Sequence, residues 1–285
     1  MTEEAPRRDG HRAYPAPAKL NLFLRVVGRR ADGRHLLQTL FRFVDHGDRV
    51  FLAPRKDTEI VLPAPLPGVP FESDLTVRAA RLLQAETGCR EGVEIRVEKS
   101  LPMGGGLGGG SSDAATVLIA LNRLWQLDLP TKRLQEIGLK LGADVPVFIF
   151  GQSAFAEGVG EILHPVDLPP AYYLVVEPPV QVPTAVVFGA PELKRDTPPI
   201  GIEDWESALW KNDLEAVAVS RYPAIADALA WLSGHGPAMM SGSGACVFAA
   251  FEDEESAQAV ARALPAGMRG WVARGLDRHP LCLGA

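Results

Sequence analysis

The run P-M-G-G-G-L-G-G-G-S-S-D-A-A, Pro102 to Ala115, holds six glycines in seven residues and constrains this chain more than any other segment. Glycine loses the most backbone freedom on folding, so such a cluster needs a compensating reason, either positive φ angles or the close approach of another molecule. The alternating G-V-E-I-R-V-E-K ahead of it reads as a strand. Behind it, A-A-T-V-L-I-A-L-N-R-L-W-Q-L reads as a helix with Val117, Leu118, Leu121, Leu124 and Trp125 on one face. Ser111 or Ser112 is expected to cap that helix, with Asp113 in its first turn. A loop feeding a helix start offers unpaired N–H groups and the positive end of the helix dipole, which favours an anion such as a nucleotide phosphate. The alternative is a bare turn, which needs only about one or two glycines.

The common phosphate loops fit poorly. A Walker A loop requires lysine where Ser111 follows Gly110. A dinucleotide fingerprint can be traced through Gly104, Gly106 and Gly109, with Asp128 about 20 residues on. Asp128, however, follows a helix directly instead of ending a second strand. A protein-kinase loop would need a later H-R-D and D-F-G, and neither occurs.

At 285 residues, 47% hydrophobic and 22% charged, the chain can bury one large core or two ordinary ones. A net charge of −6 argues against a general nucleic-acid binder. No run approaches the roughly 18 apolar residues of a membrane span. The polar opening M-T-E-E-A-P-R-R-D-G lacks the apolar heart of a signal peptide. Cys89, Cys246 and Cys282 are scattered and odd in number, which argues against a disulfide framework or a zinc cluster. A cytoplasmic protein without a protein-held metal cluster, without membrane or nucleic-acid partners, and monomeric or weakly dimeric, is the expectation.

A-K-L-N-L-F-L-R-V-V-G, H-L-L-Q-T-L-F-R-F-V and D-R-V-F-L-A-P read as strands, the first two joined by a turn at Asp32-Gly33. D-L-T-V-R-A-A-R-L-L-Q-A-E-T-G reads as a helix stopped by Gly88. T-K-R-L-Q-E-I-G-L-K-L-G is another helix, and A-D-V-P-V-F-I-F is expected to turn into a strand. Past the proline-rich P-V-D-L-P-P, Y-Y-L-V-V-E, A-C-V-F-A-A-F and W-V-A-R-G are strands. The residues near Trp205 to Leu232 read as largely helical, and E-E-S-A-Q-A-V-A-R-A-L as a helix. Strands and helices mix without β-α alternation, so the expected class is α+β in two domains, residues 1–167 and 168–285.

The glycine run resembles the phosphate loop of the GHMP kinases. P-A-K-L-N-L-F-L, A-D-G-R-H, L-G-A-D-V-P-V-F and S-G-S-G-A-C-V-F extend the likeness from about Pro15 to the C-terminus, towards the members that act on a CDP-linked methylerythritol. The resemblance implies an N-terminal domain like the second domain of ribosomal protein S5 and a ferredoxin-like C-terminal domain. It also implies ATP as phosphoryl donor, Mg²⁺, and CDP-methylerythritol as the alcohol that is phosphorylated.

Residue by residue, the resemblance gives each position a role beside its ordinary reading. Asp144 would otherwise be a turn aspartate before Pro146. Lys19 would be a solvated strand lysine. The likeness makes this pair catalytic. Asn21, two positions on and so on the same strand face as Lys19, becomes a substrate contact together with Thr184. His35 and Phe188 correspond to residues that hydrogen-bond and stack on the cytosine. Lys99, Pro102, Met103, Gly104, Gly105, Gly106, Leu107, Gly108, Gly109, Gly110, Ser111 and Ser112 correspond to the nucleotide site, with Ser112 a candidate Mg²⁺ ligand. Ser241 to Gly244 would form a second small glycine loop, or a turn leading into a strand. Two positions depart from the pattern. Arg34 stands where a tyrosine is common beside the cytosine, although a guanidinium plane can also stack on a base. Asp74 stands where asparagine is expected near the adenine.

Overall fold

The computed structural model describes residues 10–282, so most of the polar opening and the last three residues lie outside the described residues. Among the described residues there are ten strands and eight α-helices, in mixed order. The chain starts with β1 (Arg12–Arg29), β2 (His35–Arg55) and β3 (Ile60–Val61), then α1 (Leu75–Thr87), β4 (Gly92–Glu98) and α2 (Gly109–Leu124). α3 (Thr131–Leu139), α4 (Val145–Phe150), β5 (Ala154–Glu157), β6 (Ile162–Pro165) and β7 (Tyr172–Glu177) follow. The remainder is α5 (Thr184–Phe188), α6 (Glu215–Arg221), α7 (Pro223–Ser233), β8 (Ala238–Met240), β9 (Val247–Phe251), α8 (Glu254–Ala261) and β10 (Arg269–Leu276).

β2 is the hub. One edge pairs antiparallel with β1 from Arg29↔His35 to Arg12↔Leu52. The other edge is shared by β5 at Thr39–Phe41, β10 at Phe43–Val44 and β4 at Arg49–Arg55. Through β10 the sheet continues to β7, β9 and β8. The two expected strands H-L-L-Q-T-L-F-R-F-V and D-R-V-F-L-A-P are therefore one strand of 21 residues. The D-H-G between them, Asp45 to Gly47, is not a turn. A Cβ at Gly47 would stand 2.2 Å from the Ala16 carbonyl oxygen, so glycine lets β1 cross closely where its register slips between Pro17 and Lys19.

One apolar cluster packs α1 to α4 on this sheet, with Phe43, Val117, Leu118, Leu121 and Phe148 at or near zero exposure. A second packs Leu174, Val187, Ile225, Leu232 and Val247 and takes in Leu24 and Val26 from β1. A third joins the halves through Leu20, Phe23, Phe155 and Phe248. Mixed α/β structure in two packed halves agrees with the expected class.

Two further local expectations fail. V-P-V-F-I-F is the helix α4, not a strand. Val145 to Ile149 are all buried, so no polar face betrays the helical period. Pro146 is harmless in the first turn, and Gly151 closes the helix in the left-handed region. Neither Ser111 nor Ser112 caps α2, which starts at Gly109 behind a left-handed Gly108 with no side-chain cap. Asp113 lies beyond the first turn. The Trp205–Leu232 stretch is largely helical, as expected, in a 3₁₀ segment, Ile202–Ala208, and the separate α6 and α7.

Candidate active site

The glycine loop departs from the edge of β4 and ends at α2, and its backbone is arranged with unusual asymmetry. Gly104, Gly106 and Gly108 have φ of 71°, 73° and 70°, alternating with residues outside that region. The loop's carbonyl groups face the protein. Gly104 and Gly105 accept from Ala245 N and Cys246 N at 3.0 and 3.1 Å, and Leu107 accepts from Lys19 N at 3.0 Å. The Gly106 carbonyl takes Lys19 Nζ at 2.9 Å and Ser241 Oγ at 3.0 Å. Among the described residues, no N–H from Gly104 to Gly108 donates to another backbone group outside a helix or strand. With the carbonyls engaged and the amides open at a helix N-terminus, the loop is an anion cradle.

Three of the loop glycines could not be replaced without moving something: a Cβ on Gly105 would stand 2.9 Å from Pro102 Cγ and 3.0 Å from Cys246 Sγ. A Cβ on Gly106 would meet the Ser241 carbonyl oxygen at 2.0 Å, and one on Gly108 would press on Phe148 and Lys19 Cε at 3.0 and 3.1 Å. The segment Ser241 to Gly244 is therefore a brace beneath the first loop.

The loop walls a cavity of about 580 Å³. Lys19, Asn21, Asp74, Lys99, Pro102, Met103, Gly104 through Ser111, Asp144, Thr184 and Phe188 all line it. Ser112 does not. It is fully buried and its hydroxyl donates to the Pro17 carbonyl at 2.7 Å, so it is committed to the fold and turned from any metal in the cavity. An adjoining cavity of about 350 Å³ is lined by Arg34, His35 and Phe188, with Lys140 and Gly142 opposite.

Lys19 is 3% exposed, the reverse of a solvated strand lysine. Its ammonium donates to Asn21 Oδ1 at 2.6 Å and to Gly106 O, and lies 3.3 Å from Asp144 Oδ2. Asn21 Nδ2 in turn donates to Thr39 Oγ1 at 2.8 Å, which fixes the amide's orientation. Asp144 stands just before α4 yet makes no capping bond, and its side chain keeps 36% exposure. A carboxylate at the mouth of the loop, paired to a buried ammonium, is available to a substrate proton.

Deeper in the cavity, Lys99 is held by two carboxylates, Asp48 and Asp113, the latter at 2.8 Å. Asp48 also accepts from the N–H groups of Ser100 and Leu101 at 2.6 and 2.9 Å, tying β2 to the start of the loop. Burial disfavours the charged Lys99, but Asp113 and Asp48 outweigh it and hold the ammonium above the ordinary lysine value. Burial pushes Asp113 up to about 7, opposed by Lys99 and reinforced by Asp48. Nothing local in D-H-G-D-R-V marks Asp48, because its lysine lies 51 residues away.

Asp74 is the N-cap of α1, accepting from Thr76 N at 2.8 Å. Asparagine and aspartate cap equally well, so this departure from the expected pattern is absorbed by local structure. Thr184 Oγ1 lies 2.9 Å from Ser243 Oγ, joining α5 to the second loop. The rings of His35 and Phe188 are 5.1 Å apart and inclined at 40°. The Arg34 side chain is exposed at the same corner. His35 Nε2 accepts from Arg195 Nε at 2.9 Å, an arginine that sequence patterning does not single out.

Comparison with known proteins agrees with this architecture. Residues 74–152 match the model of the GHMP kinases N terminal domain, and 199–270 that of the GHMP kinases C terminal. The 4-diphosphocytidyl-2-C-methyl-D-erythritol kinase of Dechloromonas aromatica (strain RCB) is 61% identical over 94% of this chain and 98% of its own length. That of Thiobacillus denitrificans (strain ATCC 25259 / T1) is also 61% identical, over 94% and 97%. A crystal structure of 4-(cytidine 5'-diphospho)-2C-methyl-D-erythritol kinase superposes with a TM-score of 0.80 at 36% identity, covering 92% of this chain and 98% of that one. A mevalonate kinase structure, 13% identical with a TM-score of 0.68 and covering 93% of this chain and 99% of that one, shares the fold. The chain belongs to the GHMP kinase family and, within it, to the 4-diphosphocytidyl-2-C-methyl-D-erythritol kinases.

Proposed function

We propose that this protein transfers the γ-phosphoryl group of ATP to the 2-hydroxyl of 4-diphosphocytidyl-2-C-methyl-D-erythritol, giving the 2-phosphate and ADP. The observation that carries the chemistry is the buried Lys19 bridging the Gly106 carbonyl and Asp144, which sets a base beside the amide cradle. The identity to named relatives over nearly the whole chain supports the substrate.

In this reading the open amides of Gly104 to Ser111 hold the triphosphate and orient its terminal phosphorus. Asp144 accepts a hydrogen bond from the attacking hydroxyl, aligns its oxygen and takes the proton as the new P–O bond forms. The bond to the β-phosphate oxygen breaks and ADP leaves with that electron pair. Lys19 holds Asp144 at the mouth of the loop and offsets charge on the phosphoryl group in flight. His35 and Phe188 hold the cytosine, and Arg34 stacks beside it in place of the commoner tyrosine. Asn21 and Thr184 contact the substrate, and Lys99 and Asp74 border the nucleotide. In the division at 167/168, the nucleotide loop belongs to the first domain and Phe188 and Thr184 to the second.

The donor set fits a Mg²⁺ carried mainly by phosphates and water: side-chain oxygens lining the cavity include the Ser111 hydroxyl and Asp144, and among the described residues no group of three or more His, Cys, Asp or Glu side chains could hold a metal ion. When bound, the ion would neutralise phosphate charge. Free thiols at Cys89, Cys246 and Cys282 suit a reducing, cytoplasmic compartment. Among the described residues no helix is long and apolar enough to cross a membrane.

The test is Mg²⁺-dependent ADP release from ATP with CDP-methylerythritol, run beside mevalonate, homoserine and galactose. Release only with the CDP-linked alcohol is expected. Release with another alcohol and none with this one would move the protein to a different GHMP activity.

A further inference from the structure

Arg195 lies in the irregular segment after α5, outside the glycine loop and outside the catalytic pair. Four of its N–H bonds are committed. Nε donates to His35 Nε2 at 2.9 Å and Nη1 to Leu193 O at 2.8 Å. Nη2 donates to Phe188 O at 3.0 Å and Ala190 O at 2.7 Å. One rigid guanidinium therefore grips both the end of the helix that carries Phe188 and the imidazole that faces its ring.

The chemistry of the contact has a consequence for the imidazole. A guanidinium has no acceptor and does not lose its proton near neutrality, so His35 Nε2 must present its lone pair to it. A neutral imidazole then carries its single proton on Nδ1. Protonation of Nε2 would set N–H against N–H. Burial first, then the charges of Arg195 and Arg29, hold His35 below its ordinary value, in keeping with a neutral ring. Among the described residues no protein group hydrogen-bonds Nδ1, and His35 lines the cavity shared with Phe188.

We propose that Arg195 is a positioning residue for base selection: it fixes the His35 tautomer so that Nδ1 meets the substrate base as an obligate N–H donor. Such a donor complements the N3 lone pair of cytosine. Uracil offers an N3–H instead, which would face the donor with no acceptor. This rests on the reading of His35 and Phe188 as the cytosine site.

Two measurements test it. The first is the ¹⁵N spectrum of His35 in the wild-type protein without substrate, its signal identified by its absence in His35→Gln. A proton on Nδ1 and none on Nε2 is expected, and a predominantly Nε2-protonated ring would overturn the proposal. The second compares turnover of CDP-methylerythritol with its UDP-linked counterpart in wild type, Arg195→Met and Arg195→Lys. Arg195→Met should mix the two tautomers, raise KM for the cytidine substrate by about ten- to a hundredfold and erode the preference for cytosine. The KM for ATP and kcat should stay within about threefold, which a general loss of folding would not spare. Arg195→Lys keeps a cationic donor and should retain the tautomer and most of the preference. Unchanged KM and base preference in Arg195→Met would overturn the proposal; should that variant not fold, loss of the tautomer in a folded Arg195→Lys that keeps full base preference would do so. A wild-type protein inactive on CDP-methylerythritol would sink the proposed activity, yet the tautomer measurement would still stand by itself.

Discussion

Lys19 Nζ lies 3.3 Å from Asp144 Oδ2 and 2.9 Å from the Gly106 carbonyl oxygen, so one buried ammonium ties the base to the phosphate loop. Lys19→Met removes that tie while keeping the side chain's bulk. Turnover should fall by about 10²–10³-fold, the cost of losing one donor aimed at developing charge. Asn21 Oδ1 would lose its donor and the Gly106 carbonyl would keep only Ser241 Oγ, so thermal unfolding should move down, by about 1–3 kcal/mol for the buried acceptor left unpaired. Full activity in a folded Lys19→Met protein would contradict the role given to this residue.

The brace between the two glycine loops predicts a sharp difference between neighbouring glycines. Gly106→Ala puts a Cβ 2.0 Å from the Ser241 carbonyl oxygen at a φ of 73°. Backbone strain alone costs about 1–3 kcal/mol, and the collision adds to it. Gly110→Ala places its Cβ 3.3 Å from a flexible leucine methyl, Leu75 Cδ1, inside a helix that favours alanine. Urea unfolding of the two variants should show a large loss for the first and little change for the second.

Asp74 predicts a near-silent substitution. Asp74→Asn keeps the cap on Thr76 N and should change stability by less than about 0.5 kcal/mol. Asp74→Ala should cost about 1 kcal/mol by the same reasoning. Equal losses in both would mean that the charge, and not the cap, is what the helix start requires.

Asp113 predicts a pH dependence of stability. Its carboxyl is raised from 3.8 to about 7 in the folded protein, chiefly by burial. Between those values the folded chain holds a proton that the unfolded chain has lost, so this group's contribution to stability falls as pH rises through the window. Lys99 is raised from 10.5, so its charge is constant there. Asp113→Asn should flatten the fall in unfolding free energy between about pH 4 and about pH 7. An unchanged slope would show that Asp113 is ionised throughout.

What the sequence discloses follows the range over which the physics acts. The glycine run, the Asp32-Gly33 turn and the Gly88 cap depend on neighbours in the chain, and each stands in the structure as a turn, cap or loop. Asp48, Asp113 and Arg195 act through partners that only the folded sheet brings near, and their local sequence carries no sign of it. V-P-V-F-I-F misleads for a different reason: once buried on every side, a short helix loses the polar face that would reveal its period. Lys19 is the instructive case. Its strand setting argues for solvent, and only a bulged β1 crossing under the glycine loop turns it inward.

The most direct test of the account is Asp144→Asn, measured as single-turnover phosphoryl transfer to CDP-methylerythritol beside ATP binding by calorimetry. Asn keeps the shape but cannot take the proton. The transfer rate should fall by about 10²–10⁴-fold. The dissociation constant for ATP should stay within about threefold, because the amide cradle is untouched. Transfer at the wild-type rate in Asp144→Asn, with ATP bound normally, would contradict it.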